Sequence, residues 1–169
     1  MILGTRILIL GDTGSGKTTL AKDLSIKLAL PFHDLDDIYW EKKYTLVRML
    51  PMRLRMLLRI INTEKWVIAG IPRNWNESAL SSAHHIILIK RTRIAETLRV
   101  IHRFLKGKRA GQSPNKLWTL ASTVYNKFLP PSKTRILLAH IKKQYSHKII
   151  IFQSEKQIRQ FARNVKKQT

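Results

Sequence analysis

Residues 11–19 read Gly-Asp-Thr-Gly-Ser-Gly-Lys-Thr-Thr. The first eight satisfy G-x-x-x-x-G-K-[ST], a spacing with a chemical purpose. Glycines let backbone N–H groups curl around phosphate oxygens with no Cβ in the way. Lys17 can reach the terminal phosphates, and the Thr18 hydroxyl can ligate a magnesium ion. Gly11, Asp12, Thr13, Gly14, Ser15, Gly16, Lys17, Thr18 and Thr19 are therefore read as the phosphate site of a bound nucleotide.

A second group of reactive side chains follows. Asp34, Asp36 and Asp37 lie just past the short apolar piece that starts at Pro31. A carboxylate at the carboxyl edge of an α/β sheet can hold a magnesium shell or take a proton from an acceptor hydroxyl. It can equally cap a helix. Asp36 is read as the working carboxylate, catalytic and metal-holding, and Asp34 and Asp37 as caps. Arg99 and Arg103 are four apart, so on a helix they share a face and could clamp a transferring phosphoryl group. A basic surface helix is the alternative. His84, His85 and His102 show no metal-ligand spacing with carboxylates.

The elements that would position these groups alternate. Residues 6–10 form an apolar strand directly before the glycine loop, and 17–29 a helix with Leu20, Leu24 and Leu28 on one face. Residues 31–35 are extended, 42–62 are helix-prone with an interruption at Pro51, and 66–69 and 86–89 are strands. Helices are expected over 95–105, 116–128 and 133–145, then a strand over 148–152 and a basic helix over 155–165. Apolar strands alternating with helices indicate a parallel sheet covered on both faces.

Composition bounds the rest. The 169 residues fit one domain. No run of apolar residues is long enough to span a membrane, and the apolar start runs into the glycine loop, so it reads as a first strand and not as a signal peptide. The chain has no cysteine, which removes disulfides and thiolate metal sites and makes a cytoplasmic protein the expectation. Thirty-two Lys and Arg against ten Asp and Glu give a net charge of +22, and from Thr97 onward the only acid is Glu155. Such a field attracts anions: nucleotides, nucleic acid or an acidic membrane surface. Arginines 48, 53, 55 and 59 are interleaved with Met and Leu, a pattern that could describe an interfacial helix.

The segments GDTGSGKTTLAKDLSIKLALPFHDLDDIYW, WVIAGIPR and RIAETLRVIHRFLKGKR resemble small P-loop kinases of the adenylate kinase and shikimate kinase type. The nearest likeness is to the adenylate-kinase-related DNA topology modulation group, through Leu35-Asp36-Asp37-Ile38-Tyr39-Trp40. The resemblance implies a three-layer α/β P-loop NTPase fold with five parallel strands in the order 2-3-1-4-5, a helical flap at about 37–64 and a lid at about 99–116. It implies ATP and Mg2+ as cofactors and phosphoryl transfer to a small acceptor, a nucleoside monophosphate or nucleotide-like metabolite. Asp36, Trp40 and Arg73 would bind that acceptor, Arg73 through an anionic group. In the resembled fold, the arginine-rich 46–61 segment is the flap. One departure stands out: the acid expected before Gly70, which orders magnesium-bound water in adenylate kinases, is Ala69. A nucleotide-dependent nucleic-acid-binding or regulatory protein with little kinase activity is the other reading, and the charge and Ala69 speak for it.

Overall fold

The computed structural model describes residues 3–43, 45–90, 92, 97–98, 101–102 and 133–165. Strand β1 (Arg6–Gly11) is buried from its second residue on, because it is the middle strand of the main sheet. It pairs in parallel with β5 (Trp66–Gly70) on one side and with β6 (His85–Ile89) on the other. β2 (Phe32–Asp34) lies beyond β5, and β7 (Ile149–Phe152) beyond β6, each parallel to its neighbour. Numbering only these five strands by chain order, the sheet runs 2-3-1-4-5, as expected.

Continuous Ile, Leu and Val runs suit such strands because both faces are covered. Alternate residues go to opposite layers. Ile7, Ile9, Val67 and Ile87 meet helix α1 (Lys17–Leu28) and the last helix, α6 (Glu155–Asn164). Leu8, Leu10, Ile68 and Ile86 meet α3 (Leu50–Ile61), α4 (Glu77–Ser82) and α5 (Lys133–Gln144). Helix α6 starts with a reciprocal cap: Ser154 Oγ accepts from Gln157 N–H, and Gln157 Oε1 accepts from Ser154 N–H. It docks on α1, where Lys27 donates to the Ala162 carbonyl.

The stretch 42–62 departs from the expected interrupted helix. Its start is a two-stranded antiparallel hairpin, β3 (Trp40–Lys42) with β4 (Leu46–Val47). Pro51 then opens α3 instead of interrupting a helix. A first-turn position tolerates proline because its missing N–H would have no intrahelical partner there. The helices expected over 95–105 and 116–128, and the lid with Arg99, Arg103, Lys106, Lys108 and Arg109, lie outside the described residues. No helix among the described residues is long and apolar enough to cross a membrane.

Candidate active site

The carboxyl ends of β1, β2 and β5 carry the glycine loop, the Asp34–Asp37 segment and Arg73; Arg99 and Arg103 lie outside the described residues. Where β1 ends, the chain turns through Asp12–Gly16 into α1. Gly14 and Gly16 have φ of 83° and 96°, values at which a Cβ would be strained. Gly16 is the N-cap of α1, with no side-chain cap and no acid in the first turn. The positive end of α1 is thus left for an external anion. Asp12 organises the loop: its carbonyl accepts from Ser15 N–H at 3.1 Å and from Lys17 Nζ at 3.3 Å, and its carboxylate accepts from Thr13 N–H at 2.7 Å. Ser15 Oγ is buried with no hydrogen-bond partner among the described residues. A left-handed loop, an orphaned hydroxyl, a lysine and an uncapped helix end together fit a polyphosphate chain.

Facing this loop is the end of β2. Asp34 caps the short helix α2 (Leu35–Tyr39), accepting from Asp36 N–H at 2.9 Å. It also stands in register beside Ala69, the position where an acid is missing. Burial raises the Asp34 carboxyl above its ordinary value; the Asp36 N–H bond lowers it, the Asp36 and Asp37 charges raise it, and the Lys17 ammonium lowers it. The P-loop lysine and this carboxylate therefore feel each other's charge. Asp34 is thus a helix cap, as expected from the sequence. Asp36, half-buried, lies in the first turn of α2. Asp37 is exposed and pairs with Lys43 at 3.3 Å.

Gly70, which ends β5, explains how the carboxylates are held. A Cβ there would lie 2.5 Å from the Cβ of buried Leu35, the residue between Asp34 and Asp36. Gly70→Ala must push the start of α2 away, at a cost of about 1–3 kcal/mol as for other overpacked sites. Urea unfolding of both proteins measures this; a loss under about 0.5 kcal/mol would show that α2 yields freely.

Beyond β5, Arg73 lies 4.3 Å from the centre of the Tyr39 ring. Arg53, from α3, is 5.0 Å from the same ring and 5.6 Å from that of Trp75. The two rings are near-parallel with centres 6.4 Å apart, and Trp40 meets Tyr39 edge-on. Arg53 Nε and Trp75 Nε1 are buried donors without hydrogen-bond partners among the described residues. Orphaned donors of this kind are costly unless something accepts from them. Arg73 also borders a cavity of about 260 Å3 against α5, with Asn76, Leu80, His140 and Ile141. Of the four arginines in 48–59, Arg48 is spent on the carbonyls of Ile38 and Trp40, while Arg55 and Arg59 face outward. Spacing alone did not separate Arg53 from these three. Among the described residues, no three His, Cys, Asp or Glu converge on a metal-sized site.

No family model matches the chain. A 74-residue stretch is 35% identical to the uncharacterized protein YqaC of Bacillus subtilis (strain 168), covering 43% of this chain and 42% of that protein. The chain thus spans less than half the length of this curated relative. Three solved structures superpose on most of it. The shikimate kinase from Acinetobacter baumannii, in complex with shikimate, gives a TM-score of 0.58 at 17% identity over 93% of this chain and 88% of its own. The gluconokinase from Sinorhizobium meliloti 1021 gives 0.56 at 13% identity over 96% and 90%. The shikimate kinase from Bacteroides thetaiotaomicron gives 0.53 at 18% identity over 94% of each chain. The chain therefore has the α/β fold of the small P-loop kinases.

Proposed function

We propose that this protein transfers the terminal phosphoryl group of ATP to a small anionic acceptor, a nucleoside monophosphate or nucleotide-like metabolite, and releases ADP. The observation that carries this reading is the parallel pairing that sets β1, which leads into the phosphate loop, and β2, which ends at Asp34, on either side of β5. It brings a phosphate site and a carboxylate pair to one edge of the sheet.

Each residue then has a task. The loop from Gly11 to Thr19 holds the phosphates by backbone N–H groups, and Lys17 follows the charge that moves to the leaving oxygen. Thr18, Asp34 and Asp36 have the oxygen donors that suit Mg2+, which would neutralise phosphate charge. Asp34 takes the part left vacant by Ala69. Where the attacking group is a hydroxyl, Asp36 accepts the proton it releases; where it is a phosphate oxygen, Asp36 is left to orient the acceptor. Arg73 and Arg53 hold the acceptor's anionic group, which also satisfies Arg53 Nε, and Trp40 and Tyr39 form the wall beside it. Arg99 and Arg103 are assigned to the clamp on the transferring group by resemblance alone.

A carboxylate would suit the same arginines as well as a phosphate does. One structural neighbour was solved with shikimate bound, and another is a gluconokinase, so hydroxy acids are the second class of acceptor. The binding-protein reading loses one of its two supports if Asp34 replaces the missing acid. A panel of nucleoside monophosphates, nucleosides and small hydroxy acids, incubated with labelled ATP and Mg2+, tests the proposal. Label is expected on one anionic class, and Arg73→Ala should raise KM for that acceptor about tenfold or more with ATP affinity unchanged. Labelling of neutral nucleosides alone would reject the arginine assignment. No transfer to any acceptor, with ATP still bound, would favour the binding protein.

A further inference from the structure

Large apolar side chains on a water-facing surface are normally scattered singly. Here, seven of the ten exposed ones among the described residues fall within residues 46–58. Leu50, Leu54 and Leu58, spaced by four, form one ridge along α3, at 47%, 37% and 48% exposure. Leu57 and Ile61 bury the other face of the same helix. Arg55 and Arg59, also four apart and exposed, form the ridge beside the leucines. Met49 at 72% and Leu46 at 52% extend the apolar surface towards the hairpin.

Charge selects the occupant. Residues 42–63 contain six Lys or Arg and no acid, in a chain of net charge +22. A second copy would bring like charge against like. Residues 103–132 of this chain are basic too and hold no acid, so they offer no complement. Single-stranded nucleic acid would complement the charge, but it binds by stacking bases on rings, and this ridge is aliphatic. An aliphatic ridge flanked by arginines matches a bilayer interface. Leucines enter the acyl boundary, and arginine stems lie along it with their heads at the phosphates.

We infer that the outer face of α3, with the adjoining hairpin, docks on an anionic phospholipid surface. The reading is independent of the kinase assignment, since the leucine and arginine ridges of α3 belong to neither the nucleotide nor the acceptor site and only Trp40, at the start of the hairpin, is shared with the latter. The test is co-sedimentation of the full chain with vesicles of phosphatidylcholine alone, or with phosphatidylglycerol added. Wild type is expected to bind the mixed vesicles and to bind phosphatidylcholine far more weakly. The double variant Leu54→Glu, Leu58→Glu should bind the mixed vesicles about tenfold more weakly or worse, with unaltered thermal unfolding. Equal vesicle binding by that variant would overturn the inference, leaving only diffuse charge attraction. So would a wild type that ignores vesicles and instead dimerises or binds a single-stranded oligonucleotide through this face. If the double variant does not fold, the absence of native cysteine gives a second readout. Leu58→Cys carrying an environment-sensitive fluorophore should shift to the blue on mixed vesicles, and no shift would equally overturn the docking surface.

Discussion

Lys17→Ala is expected to lower turnover by about a hundredfold or more, and to weaken Mg-ATP binding with it, while the protein stays folded. The lysine is only half-buried, and its ammonium donates to the carbonyl of Asp12 inside the loop instead of packing in either core layer. Removing it takes away a cation at the mouth of α1, but leaves the glycines and the helix end in place. Calorimetric titration with ATP, a turnover assay and a thermal melt separate the outcomes. A folded variant with wild-type affinity and rate would end the P-loop assignment.

Asp36→Asn and Asp34→Asn should fail in different ways. If Asp36 takes the acceptor's proton, its amide variant should lose a factor of about ten or more in kcat with ATP affinity little changed. If Asp34 supports the metal from beside Ala69, its amide variant should need about tenfold more magnesium for half-maximal activity. Both should melt close to wild type, since Asn 34 can still accept from the Asp36 N–H and Asn caps about as well as Asp. Magnesium titrations of rate for the three proteins decide this; unchanged kcat and magnesium requirement in both variants would reduce the carboxylates to caps. Acidity gives an independent sign. Burial lifts Asp34 above the ordinary 3.8, so on acidification it gains its proton earlier than an exposed aspartate. The magnesium needed for half-maximal activity should therefore rise on acidification, as protons compete with the ion for Asp34, and Asp34→Asn should flatten that dependence.

The parts of the molecule that could be read in advance are those where local pattern and tertiary role coincide. β1, β5 and β6 are apolar after their first residues because they are central strands, and the glycine loop is defined by neighbours in sequence. The strand order came from resemblance; periodicity carries no information about which strands pair. Asp34 shows the limit well. As a residue before a helix it is a cap, and only its register beside Ala69, set by pairing across the sheet, makes it a neighbour of Lys17. The hairpin at 40–47 was missed for a related reason: Lys42 to Thr45 contain no Gly, Pro or Asn to mark a turn, and the leucines that follow match a helical period. Arg53 became distinct from Arg55 and Arg59 only when α3 was seen to turn it towards Tyr39 and Trp75.

β1 is the first strand in the chain and the central one in the sheet. Both of its neighbours, β5 and β6, come much later in sequence, and the cover for its α1 face is completed by α6, close to residue 165. Contacts so distant along the chain require large loops to close before they reward the chain, which slows folding. As the protein leaves a ribosome, the segment bearing the glycine loop is made well before the strands and the helix that secure it. A nascent chain cut off before residue 149 would keep the whole loop sequence, yet lack β7 and α6 and expose one edge of β6 and part of α1. Nucleotide binding by nascent chains of graded length should therefore appear late and abruptly, once the final helix has emerged.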